Sequence, residues 1–134
     1  MNFLKKLFPP KEVRAALEVL EEAGRKLDSP GFQMVRERVE ALIKARPAKL
    51  VLIIRAGKSV REYIYTALAN HAGDEAESGR WHIHRGTLIP GGPGEDCLRL
   101  FDGAVDELVK MGAMDADFGH EQKDKLREGI QSVG

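Results

Sequence analysis

The sequence predicts a mostly helical α+β domain. Its element order is ααβαβαα: an N-terminal helical hairpin, a β-α-β unit around a small sheet, and two C-terminal helices. Three observations predict it. Val13, Leu17, Leu20 and Leu27 recur at helical spacing, and a second stripe of that kind follows a "DSPG" break. Leu50–Ile54 is an unbroken aliphatic run, the pattern of a short strand buried on both faces. "RWHIHRGTLI" alternates with period two, as a half-buried strand does.

Each element has its own reason. Lys11–Leu27 carries Ala16 and Ala23 inside its apolar stripe. After it, Ser29 is placed to cap a second helix with Pro30 at its first position. That helix presents Phe32, Val35, Val39, Leu42 and Ile43 and must end before Pro47. The run Leu50–Ile54 reads as the first strand. A third helix follows from Val60 to about His71, with Tyr63, Ile64, Ala67 and Leu68 on one face, and "AGDEAESG" reads as an acidic loop. In the second strand Trp81, Ile83 and Arg85 face one way and His82, His84 and Gly86 the other. "PGGPG" ends it. Helices from about Glu95 to Met111 and Ala116 to Ile130 complete the chain. The helix between the strands is long enough for a parallel crossover. Two strands alone are marginal, so helices, a further strand or a second subunit must cover them.

At 134 residues, one globular domain is expected over residues 11–134, with residues 1–10 as an N-terminal tail or docking segment. Hydrophobic content of 43% and charged content of 31% are those of a soluble globular protein. Cys97 is the single cysteine, so no internal disulfide forms, and a reducing cytoplasmic setting is the simplest reading. In "MNFLKKLFPP", Phe3, Leu4, Leu7 and Phe8 share one side if the segment is helical. Folding back onto the domain is the first reading; weak peripheral membrane contact through residues 1–8 is the second. No apolar run is long enough to span a membrane.

Charge is balanced overall but not along the chain. Residues 1–61 hold 14 Lys+Arg and 7 Asp+Glu, and residues 62–134 hold 7 and 14. Pairing of the halves within the fold, or between two copies, is the reading this favours, which makes a homodimer an expected state. Nucleic-acid binding by the basic half ranks third, because the neutral total lacks the usual basic excess.

Four stretches carry candidate chemistry. "RAGKSVRE" has the Gly-Lys-Ser of a phosphate loop, but the opening glycine of such a loop falls on Leu52. Ser59 and Glu62 instead form a capping box, with Gly57 permitting the turn before it. Arg55, Lys58, Ser59 and Arg61 remain a candidate anion site at a positive helix end. In "IPGGPGED", Glu95 and Asp96 already occupy the first turn and would repel a phosphate.

His82 and His84 point the same way on a strand, so they are candidates for a metal site or for acid–base work. Zinc would need a third ligand, for which His71, His120, Cys97 and the acidic loop are available. "HIHRGTLIP" resembles the histidine strand of the histidine-triad nucleotide hydrolases. Gly86 stands where the third histidine of that pattern falls, and Arg85 interrupts the apolar alternation. The resemblance is confined to this stretch and identifies no family. Cys97 fits an apolar face with Phe101 and Ala104, and Trp81 fits a core or interface anchor.

No complete catalytic constellation is present in the sequence, and no cofactor is called for. The reading is a small cytoplasmic protein-interaction or regulatory domain, which requires a sizeable apolar surface patch. The alternative is a phosphate-ligand binder or hydrolase that joins Arg55, Lys58 and Arg61 to His82 or His84 in one cleft.

Overall fold

The computed structural model describes residues 10–57, 59–78, 81–84 and 87–133, with the backbone alone at 82–84, 87 and 133. Six helices account for most of them: α1 (Lys11–Leu27), α2 (Gly31–Ala45), α3 (Pro47–Arg55), α4 (Val60–Glu77), α5 (Pro93–Lys110) and α6 (Ala116–Val133). Two short extended pieces, β1 (His82–His84) and β2 (Thr87–Leu88), pair antiparallel as a hairpin, His82 opposite Leu88 and His84 opposite Thr87.

The expected ααβαβαα fold is therefore corrected to an all-helical one, because the described residues contain no β-α-β unit. Leu50–Ile54 lies inside α3, not in a strand. An unbroken aliphatic run has no period of its own to separate strand from helix. Here Pro47 sits at the helix start, where its missing N–H costs nothing. The second expected strand shrinks to the hairpin, which has no third strand and no parallel partner among the described residues. With the first strand gone, no crossover remains.

The third expected helix also runs further. It continues through most of the acidic stretch to Glu77. Ala72, Gly73, Glu75 and Ala76 are all buried there. Small residues around Leu68 and Tyr65 let α4 be covered on several sides, and it packs against α1, α2, α5 and α6. Its tightest contacts use the small residues: a Cβ at Gly73 would lie 3.3 Å from the Phe101 ring of α5.

The N-terminal hairpin forms as the sequence predicts, α1 with the expected bounds. Asp28 adopts a left-handed conformation after α1 and turns the chain. Ser29 Oγ accepts from Gly31 N at 3.3 Å and donates to the Asp96 carbonyl at 3.2 Å, tying this corner to the first turns of α5. Gly24 and Gly31 allow the approach. A Cβ at Gly24 would reach within 2.4 Å of the Phe32 ring, and one at Gly31 within 2.5 Å of the Asp96 carbonyl oxygen.

The core runs through the helices as one cluster, with Leu20, Val35, Ile43, Ile64, Leu68, Leu100 and Ile130 among its members. Burial of each such aliphatic side chain contributes roughly 1.5–3 kcal/mol. Cys97 belongs to it, fully buried with its Sγ 3.5 Å from Met34 Sδ.

Gly31→Ala is expected to destabilise the chain by about 2 kcal/mol, since the clash is with backbone that cannot swing away. A urea midpoint unchanged from wild type would show that the α2–α5 corner is looser than described.

Candidate functional site

α3 makes its main contacts with α1 and α2 and stands off α4. The space left between α2, α3 and α4 is an open groove of about 530 Å³. Leu42 of α2, Ile53 of α3 and Ala56 just after that helix form one wall. Tyr63 and Ala67 of α4 form the other, with Thr66, Asn70 and His71 supplying its polar groups. Tyr63 through His71 spans about 12 Å of helix at 1.5 Å per residue. Burial against this wall pushes the Tyr63 phenol above its ordinary pKa of 10.0.

The apolar character of α3 is not spent on the core. Of its aliphatics only Leu50 is fully buried, and Leu52 is 69% exposed. Leu42, at 38%, extends the exposed apolar surface onto α2.

Gly57, with φ of 104°, turns the chain from α3 into α4. Ser59 caps α4 as the sequence predicts: its Oγ accepts from Arg61 N at 3.1 Å and Glu62 N at 3.5 Å. The neighbouring cations are partnered. Arg55 Nε lies 3.6 Å from Glu12 Oε2, and Arg61 donates to Glu22 Oε1 at 2.8 Å. Arg61 also stacks over the Tyr65 ring, 5.5 Å from its centroid. Lys58 lies outside the described residues. Two of the candidate anion ligands thus face carboxylates of α1, and the Ser59 oxygen is taken up with helix amides.

The backbone of His82 and His84 is in β1, and their side chains lie outside the described residues. Among the described residues, no group of three His, Cys, Asp or Glu side chains is arranged to hold a metal. Glu95 receives Gly91 N at 3.3 Å, so the first turn of α5 uses its own carboxylate. Trp81 Nε1 donates to Glu75 Oε1 at 3.1 Å. The N-terminal residues 1–9 also lie outside the described residues.

Three carboxylates are buried, a feature the sequence does not mark. Glu12, Glu75 and Glu107 are 8%, 3% and 7% exposed. Each meets a cation from another helix: Arg55, Arg38 at 2.5 Å and Lys26 at 2.6 Å respectively. Arg38–Glu75 and Lys26–Glu107 join the basic and acidic halves of the chain within one molecule. Lys26 holds the Glu107 carboxyl below its ordinary 4.5, with Lys110 adding to the effect. Glu107 in turn raises Lys26. The strongest electrostatic features therefore lock helices together, and the apolar groove lies apart from them.

The chain matches no family model, no curated protein and no solved structure.

Two outcomes follow from these contacts. Ser59→Ala is expected to cost about 1 kcal/mol, read as a lower urea midpoint, because two α4 amides lose their acceptor. A lowered carboxyl pKa stabilises the fold above the unfolded value and loses that contribution as pH falls through the folded value. The wild type should therefore lose stability as pH falls below about 4.5, and Glu107→Gln should show a shallower acid limb in thermal melts. Parallel limbs would mean that the Lys26 contact carries no pH-dependent stability.

Proposed function

We propose that this chain is a small protein-interaction or regulatory domain of the cytoplasm, and that the groove between α2, α3 and α4 is its docking surface. One observation supports this most. The most apolar segment of the chain lies at the surface beside a concave groove, with Leu42 exposed in its wall and Leu52 exposed on α3. Contiguous exposed apolar surface of this kind marks binding sites more often than scattered side chains do. Three helices with apolar walls form the shape that receives an amphipathic helix. Among the described residues no helix is long and apolar enough to cross a membrane.

The phosphate-ligand reading gains no support from the described residues, since Arg55 and Arg61 are turned to Glu12 and Glu22.

Panning a displayed-peptide library against the full chain tests the docking surface. The expected result is enrichment of peptides with apolar residues spaced at i, i+3 or i+4, and i+7, lost when Thr66→Arg places a charged side chain in the groove. Enrichment that survives Thr66→Arg, or none at all, would refute the assignment.

A further inference from the structure

The groove has a charge as well as a shape. From Ala41 to Arg61 the sequence contains six Lys or Arg and no Asp or Glu. That stretch supplies the end of α2, all of α3 and the turn into α4. Within it, Lys49 precedes Ile53 by four residues, so the two share one face of α3, and Ala56 follows the helix directly. Ile53 and Ala56 line the groove. Arg46 follows the groove residue Leu42 by four and ends α2. Both Arg46 and Lys49 are exposed, and neither makes an ion pair among the described residues. Lys44 beside them reaches only Glu40, at 3.4 Å in an exposed pair of little strength. On the α4 side, Glu62 directly precedes the wall residue Tyr63 in the first turn of the helix, and Asp74 lines a separate cleft with Phe101 and Lys125.

From this arrangement we propose that the groove selects an acidic amphipathic helix: a partner segment of about two turns, apolar at i, i+3 or i+4, and i+7, with Asp or Glu flanking that stripe. The inference rests on the docking reading above and adds the chemistry of the partner. The apolar stripe fills the space between α3 and α4. The flanking carboxylates meet Arg46 and Lys49, which form no ion pair among the described residues. A concave site walled by three helices suits a cylinder better than a flat membrane surface. Burial of the stripe supplies the affinity, and the rim charges set partner choice and on-rate, so the preference depends on salt.

Fluorescence anisotropy on the full chain distinguishes the outcomes. Three labelled helical peptides are compared: one apolar stripe flanked by Glu, the same stripe flanked by Lys, and the stripe flanked by Gln. The Glu-flanked peptide is expected to bind at least about tenfold tighter than the Lys-flanked one in low salt. The gap should narrow as ionic strength rises and should reverse in the R46E/K49E variant. Binding of all three with equal affinity would overturn the charge inference and leave the docking surface standing. Binding of none would remove both. Competition by phosphatidylserine vesicles but not by the Glu-flanked peptide would assign the patch to a membrane instead. Loss of peptide binding as chain concentration rises, with dimers in sedimentation velocity, would assign it to a second copy.

Discussion

Everything else in this molecule is arranged around the burial of α4. A helix of 18 residues that hides Ile64, Tyr65, Leu68, Ala72 and Ala76 needs neighbours on more than one side. α1, α2, α5 and α6 supply them. Such a helix cannot exist without the others, and they have no common core without it. Its small residues set the distances: Gly73 takes the Phe101 ring, and Ala67, Ala69 and Ala76 let the surrounding backbones come close. Larger residues at these positions would push α5 outward and open the core.

That central helix also explains the buried carboxylates. Once α4 and α5 are enclosed, Glu75 and Glu107 are enclosed with them. A buried, unpaired carboxylate is expensive, so each must meet a cation where the helices cross. Arg38 and Lys26 reach in from α2 and α1 with side chains that stay about half exposed. These bridges add less to net stability than their short distances suggest, because desolvation offsets the attraction. Their effect is on alternatives: a rotation of α1 or α2 that kept the apolar contacts would strand a charge.

How far the sequence reveals this depends on the range of the contacts that decide each element. α1 and α2 are legible because one face of each is buried and the other is wet, so the period of 3.6 appears in the letters. α4 is legible only as far as about His71. Its last six residues read as an acidic loop, and nothing local reveals that Glu75 will find Arg38 and Trp81. Leu50–Ile54 is ambiguous for the opposite reason, being apolar at every position. The Ser59 cap is local chemistry and is read correctly, down to the acceptor atom. The groove is not legible at all, because it is made by the distance between α3 and α4.

α3 is where the demands of folding and of binding separate. A nine-residue segment this apolar has enough aliphatic surface to sink into the core, yet only Leu50 does so. Lys44, Arg46, Lys49 and Arg55 surround it, and each charge needs water or a carboxylate. Sinking α3 would drag Lys49 and Arg55 inward, and the buried Glu12 already engages Arg55 at 3.6 Å. The helix therefore rests on α1 and α2 with its aliphatics half exposed. Lys49, one of the charges that keep α3 at the surface, lies four residues before the groove residue Ile53 and so on the same face of the helix.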